Sequence, residues 1–210
     1  MIASFSLRAS RVATSQTIRS RVSLTNTSSL RLRLSSTMAE TTPLLKVGDT
    51  IPAGTFKYIP YTPEESIAAC GIPQALSTDS WKGKKVVLFS VPGAFTPTCH
   101  VTHLPGFLAK ADEIKAKGVD VLAVVAANDP FVMSGWAKAL GLKDKILALS
   151  DTDAAWSASI GLSKDLSARG MGTRTARYAL IIDDLVIKYI ELEPAAGVTV
   201  SGADAVLKAL

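Results

Sequence analysis

A strand–loop–helix pattern near the middle of the chain constrains its fold more than any other feature. Lys85–Val91 is a continuous apolar run of strand length, as expected of a central strand that is covered on both faces. A proline–glycine pair ends this strand. The pair Thr96–Pro97 that follows is typical of a helix N-cap and first helical residue. The pattern therefore predicts a helix in which Cys99 occupies about the third position.

This predicted position favours a reactive cysteine. In the first turn of a helix the backbone N–H groups lack partners, and the helix dipole presents its positive end. Both effects stabilise a thiolate over a thiol. On position alone, a buried Cys99 that packs as a small hydrophobic residue is an equally good interpretation. The neighbouring residues decide between the two.

Those neighbours match a known family signature. The string Pro92-Gly-Ala-Phe-Thr-Pro-Thr-Cys99, followed by His103-Leu-Pro-Gly-Phe107, resembles the active site of the peroxiredoxins. The resemblance is to the peroxiredoxin-five (type II, alkyl hydroperoxide reductase-like) subfamily and covers about 43–210. Around Cys70 the chain is most similar to fungal members. The resemblance implies a thioredoxin-like peroxidase that reduces hydrogen peroxide and alkyl hydroperoxides, and it names thioredoxin or glutaredoxin as the reductant.

Ionisation of the thiol can raise the reaction rate only to a limited extent. An ordinary cysteine is already several per cent thiolate near pH 7, so complete ionisation gains about one to one and a half orders of magnitude in rate. Part of that gain is lost because nucleophilicity falls with the thiol pKa. The remaining catalysis must come from donors aimed at the peroxide oxygens. The Thr96 hydroxyl and the backbone N–H groups of Thr98 and Cys99 are candidates.

The resemblance assigns roles to further residues. It implies that Cys99 is the peroxidatic nucleophile, which becomes a sulfenic acid, and that Pro92 shields its sulfur from water. It implies that the active-site cation is Arg177, which immediately precedes the strand-like run Tyr178–Asp183. Arg174 is the competitor and is better suited to a solvated loop.

Two histidines lie close to the predicted nucleophile. His103 is one helical turn from Cys99 and on the same face, and it matches a family position that helps to orient the site. His100 is expected to be exposed. No metal or other cofactor is predicted, because Cys70 is the only thiol besides Cys99, and no second cluster of ligands accompanies Cys99, His100 and His103.

Cys70 is the candidate resolving thiol. Animal members of the subfamily carry a resolving cysteine near the C-terminus, whereas this chain has Val200 there. The fungal-like match around Cys70 instead implies a homodimer in which Cys70 of one subunit forms a disulfide with Cys99 of its partner. The residues alone leave an intrachain bond open, as well as recycling by an external thiol.

The N-terminal segment has a different composition from the rest. Residues 1–37 contain six arginines and ten serines, with no lysine and no acidic residue. This composition is typical of a mitochondrial transit peptide, although a disordered basic tail is the alternative. Met38 offers a second start that would give a cytosolic form. The remainder has 17 basic and 18 acidic residues, which disfavours nucleic-acid binding, and no apolar run is long enough to span a membrane.

Residues 38–210 are predicted to form one thioredoxin-like α/β domain, with a central mixed sheet flanked by helices. We expect strands at 85–91, 119–126, 145–149, 177–182 and 185–191, and helices at 104–117, 129–140, 153–160 and 201–210.

Two other function classes compete with the peroxidase. A peroxide-sensing redox signalling or chaperone-like protein also needs a reactive Cys99, but it does not need fast turnover with a recycling reductant. A thioredoxin-type disulfide oxidoreductase is disfavoured, because Thr96 stands where a Cys-x-x-Cys motif has its first cysteine.

Overall fold

The computed structural model describes residues 41–63, 66 and 68–210; the predicted transit peptide at 1–37 lies outside them. The strands are β1 (Thr55–Tyr58), β2 (Gln74–Ser77), β3 (Lys85–Ser90), β4 (Val121–Ala126), β5 (Leu147–Ser150), β6 (Ser163–Asp165), β7 (Thr173–Thr175), β8 (Tyr178–Asp183) and β9 (Val186–Leu192). The α-helices are α1 (Leu104–Ala109), α2 (Ala111–Ala116), α3 (Pro130–Ala139), α4 (Ala155–Ser159) and α5 (Ala203–Ala209).

Seven strands form one mixed sheet in the order β2-β1-β5-β4-β3-β8-β9, and β6 pairs with β7 separately. Strands β3, β4 and β5 are parallel, whereas β8 runs antiparallel to β3. The carboxyl end of β3 therefore lies beside the amino end of β8. These two ends carry the segments of the candidate site.

The prediction of a strand covered on both faces is confirmed for β3. Val87 and Phe89 belong to the apolar cluster on one face of the sheet, and Val86 and Leu88 to the cluster on the other. All four are fully buried. The rigid central strand gives the loop that follows it a fixed starting point.

The predicted helix at 104–117 is divided. Lys110 has φ −110° and ψ 9°, which separates α1 from α2. α3 is confirmed, since the Asp129 carboxylate accepts hydrogen bonds from the N–H groups of Phe131 and Val132 and so caps the helix.

Two strands at one side of the sheet, β1 and the edge strand β2, are not among the predicted strands. β1 and β2 pair with each other through the register Tyr58–Gln74, and a proline-rich connection joins them. Cys70 lies on this connection and is exposed. Among the described residues, no helix is both long and apolar enough to cross a bilayer.

Candidate active site

The helix after β3 begins as predicted. Its helical residues start at Pro97, and the carbonyl of Thr96 accepts the N–H of His100 at 2.8 Å. Cys99 is the third helical residue and its side chain is fully buried. The helix widens there into a π-helical segment, Cys99–His103, in which Leu104 N–H donates to the Cys99 carbonyl. Such segments are frequent at functional sites.

Arg177 reaches the sulfur of Cys99. The β3–β8 register pairs Phe89 with Ala179, so the residue before β8 lies beyond the end of β3, where the loop to the helix begins. The Nη2 atom of Arg177 lies 3.3 Å from Cys99 Sγ. A guanidinium at this distance stabilises negative charge on the sulfur and on a peroxide oxygen bound there.

Arg174 does not contact the sulfur, but it is not a solvated loop residue either. Its Nε donates to the Met171 carbonyl at 2.7 Å, and its side chain is partly buried. A Cβ built on Gly93 would lie 3.4 Å from Arg174 Nη1. Arg174 therefore packs near the loop that precedes Cys99, and only Arg177 of the two arginines bonds to the nucleophile candidate.

His103 is hydrogen-bonded to Arg177. Its Nε2 lies 2.9 Å from the Ser201 carbonyl, which can only accept, so the ring proton is on Nε2. Nδ1 is then an acceptor and receives a hydrogen bond from Arg177 Nη1 at 3.0 Å. Burial lowers the pKa of His103 to about 4 and outweighs the effect of the Ser201 bond. The imidazole is therefore neutral at neutral pH and keeps this acceptor available.

The pH dependence of stability should report the burial of His103. Because its pKa is about 4 in the folded protein against an ordinary 6.5, the unfolded chain binds the proton more tightly. Stability is fully present above about pH 6.5 and decreases by roughly 3 kcal/mol as the pH falls toward 4. Urea unfolding across this range measures the decrease, and His103→Gln should remove most of this contribution. An unchanged pH profile in the variant would contradict the interpretation.

The hydroxyl of Thr96 makes a different hydrogen bond from the predicted one. Its hydroxyl donates to the Gly93 carbonyl at 2.9 Å and so does not offer its proton to a substrate in this arrangement. The hydroxyl oxygen retains lone pairs that can accept the O–H of a hydroperoxide. The N–H groups of Thr98 and Cys99 belong to the first helical turn, where the helix supplies no partner. Pro92 is partly buried in the same loop.

The prediction that His100 is exposed was wrong. Its Nδ1 accepts a hydrogen bond from the indole N–H of Trp136 at 2.9 Å, and Phe95 stacks on its ring at a centroid distance of 5.7 Å. Phe95 itself has φ +59° and is 54% exposed. The contact with Trp136 spans 36 residues, and no local pattern indicates it.

Cys70 and Cys99 are both free in the single chain. The segment that carries Cys70 is held against α3, because Lys138 Nζ donates to the Ala69 carbonyl at 2.8 Å. One thiol is exposed and the other fully buried. A bond between them requires the Cys99 sulfur to become accessible, and the pairing stays a prediction.

Comparison with known proteins places these features in a family. The family model described as Redoxin matches residues 46–207. A putative peroxiredoxin of Malassezia furfur is 53% identical over 139 residues, which cover 65% of this chain and 78% of the relative. A putative peroxisomal peroxiredoxin of Lipomyces kononenkoae is 50% identical over 158 residues, which cover 74% of this chain and 94% of the relative.

Solved structures agree with the fold. Reduced Prx3 of Vibrio vulnificus in complex with H₂O₂ matches with a TM-score of 0.70 and 41% identity, over 79% of this chain and 99% of the other. Peroxiredoxin 5 of Alvinella pompejana matches with a TM-score of 0.65 and 32% identity, over 79% and 97%. The predicted thioredoxin-like fold is confirmed.

Proposed function

The chain belongs to the peroxiredoxin family, among the members of the peroxiredoxin-five or type II kind, and we propose that Cys99 is the residue at which it reduces peroxides. It is a thiol-dependent peroxidase, an oxidoreductase acting on peroxide substrates. The observation that carries the assignment of the site is the position of Cys99 in the first helical turn, with Arg177 Nη2 3.3 Å from its sulfur.

The first half-reaction is a displacement at oxygen. The Cys99 thiolate attacks one peroxide oxygen, so an S–O bond forms while the O–O bond breaks. The electron pair of the broken bond leaves with the other oxygen, which takes up a proton and departs as water or an alcohol. Cys99 is oxidised to a sulfenic acid. Arg177 and the N–H groups of Thr98 and Cys99 stabilise the charge on the separating oxygens.

The second half-reaction uses Cys70. Its thiol attacks the sulfenic sulfur, a disulfide forms and water leaves. We place this disulfide between two subunits of a homodimer. Exposed apolar side chains close to Cys99 in the sequence and structure support association of two copies: Val101 is 71% exposed and Phe95 54% exposed. Thioredoxin then reduces the disulfide, as is expected of the family, with glutaredoxin as the second candidate.

Peroxide consumption coupled to thioredoxin oxidation tests this function. Sustained turnover supports the peroxidase cycle with thioredoxin. A single turnover of peroxide with no recycling by thioredoxin or glutaredoxin would favour the peroxide-sensing or chaperone-like alternative, for which the relatives offer no support.

We expect peroxide treatment to produce a covalent dimer. Disulfide formation requires Cα atoms within about 7 Å, so the buried Cys99 must become accessible to Cys70 of the partner subunit. Non-reducing electrophoresis should show the dimer in the wild type, and both Cys70→Ser and Cys99→Ser should lack it. A purely monomeric oxidised band would instead point to an intrachain bond or to recycling by an external thiol.

Residues 1–37 are proposed to direct import into mitochondria, on the strength of their arginine-rich, acid-free composition. The peroxisomal name of one relative is a reason to test this directly. A fluorescent reporter fused to residues 1–37 should colocalise with mitochondria, and a chain that starts at Met38 should remain cytosolic. A diffuse signal from the fusion would leave only the basic-tail interpretation.

A further inference from the structure

The carboxylate of Glu193 accepts hydrogen bonds from the segment 199–201. Oε1 accepts hydrogen bonds from the N–H of Thr199 at 2.6 Å and from the N–H and hydroxyl of Ser201, both at 2.8 Å. Oε2 accepts the Thr199 hydroxyl at 2.6 Å. Bonds to a carboxylate are stronger than neutral ones, so this segment has little freedom to shift.

The carboxylate is suited to this role because it stays ionised. Partial burial raises the pKa of Glu193, but the hydrogen bonds from Thr199 and Ser201 outweigh burial and leave the pKa below its ordinary value. All four contacts are donated to the carboxylate, as an ionised group requires.

The segment that Glu193 holds is in contact with the active site. The Ser201 carbonyl accepts the Nε2 proton of His103 at 2.9 Å, and His103 Nδ1 in turn accepts from Arg177 Nη1 at 3.0 Å. The backbone N–H of Glu193 also donates to the Arg177 carbonyl at 2.9 Å. Glu193 is thus hydrogen-bonded directly to the main chain of Arg177. It is also linked to the Arg177 guanidinium through Ser201 and His103.

We propose that Glu193 is a positioning residue of the peroxidase reaction. By fixing the Ser201 carbonyl it fixes the tautomer and ring orientation of His103, and the imidazole then holds Arg177 Nη2 toward the Cys99 sulfur. This inference rests on the proposed role of Arg177. Glu193 itself touches neither the sulfur nor the peroxide.

Stopped-flow measurement of the second-order rate constant for hydrogen peroxide tests the proposal. Glu193→Ala should lower the constant roughly 10- to 100-fold, since a misplacement of about 1 Å at a reacting centre costs about 10²-fold. Glu193→Gln should recover most of the rate, because its amide oxygen can still accept at the Oε1 position. The matched control is Glu191→Ala near the end of β9, two residues before Glu193; Glu191 is an exposed carboxylate outside these hydrogen bonds, and the variant should react as the wild type.

A double variant separates positioning from a purely structural role. If Glu193 acts through Arg177, Glu193→Ala should slow the Arg177→Ala protein by less than about twofold, because the two losses are not additive. If Glu193→Ala slowed the wild type and the Arg177→Ala protein by the same factor, the proposal would be overturned. A wild-type rate for Glu193→Ala, together with a slow Arg177→Ala protein, would also overturn it. A wild-type rate for Arg177→Ala would overturn the proposed cation as well.

Thr199→Val is the milder variant should Glu193→Ala fail to fold. It removes only the hydroxyl bond to Oε2. It should lower the rate constant by a smaller factor, and again only when Arg177 is present. A loss of the same size in the Arg177→Ala background would contradict the role of Glu193.

Discussion

Replacing Cys99 by serine is expected to abolish peroxide reduction. A serine hydroxyl supplies essentially no alkoxide at neutral pH, and the remaining groups of the site only stabilise an attack that no longer has a nucleophile. Exchange of the sulfur for an oxygen changes the side-chain volume little at this fully buried position, so we expect the protein to fold. Thioredoxin-coupled peroxide consumption should fall to the uncatalysed background.

Cys70→Ser is the matched control for this change. It should stop sustained turnover by thioredoxin but leave the first reaction with peroxide intact, because Cys70 acts only after the sulfenic acid has formed. Retention of more than a few per cent of the wild-type rate by Cys99→Ser would exclude Cys99 as the nucleophile.

Replacing Arg177 by alanine should slow peroxide reduction by about 10²–10³-fold, the cost of removing one donor to a transition state. The variant loses two effects of the guanidinium: stabilisation of negative charge on the sulfur, from which Nη2 lies 3.3 Å, and stabilisation of the charge on the oxygens as the O–O bond breaks. The loss should appear in the second-order rate constant for peroxide, measured by stopped flow.

Arg174→Ala should have little effect on the same rate constant, because its Nε bonds to the Met171 carbonyl and not to the sulfur. It therefore controls for the loss of a positive charge near the site. A large effect of Arg174→Ala together with a small effect of Arg177→Ala would show that the cation has been assigned to the wrong arginine.

Local sequence patterns predicted the elements that carry the nucleophile. The apolar run of β3, its proline–glycine end and the Thr96–Pro97 helix start are all short-range signals, and together they located Cys99 correctly in the first helical turn. The hairpin of β8 and β9 was also predicted, but its turn is shifted by one residue. Asp184 and Leu185 both have positive φ. Glycine usually marks such a backbone in a sequence, and neither residue is a glycine.

The contacts that organise the site were not predictable in the same way. The bond from His103 to the Ser201 carbonyl spans 98 residues, and its acceptor is a backbone atom that every residue type possesses. Glu193 and Ser201 lie on either side of Val200, and no local sequence pattern indicates that they bond to each other. Similarly, the sequence offered Thr96 as a donor to peroxide, but only the structure shows that its proton goes to the Gly93 carbonyl.

Chemical trapping of the oxidised cysteine tests whether Cys99 is the nucleophile. The Cys70→Ser protein is treated with one equivalent of hydrogen peroxide, trapped with a reagent specific for sulfenic acids and analysed by peptide mass spectrometry. If Cys99 is the nucleophile, the peptide that contains it is labelled stoichiometrically. Consumption of the peroxide with no label on Cys99, or with oxygen found instead on other side chains, would contradict it.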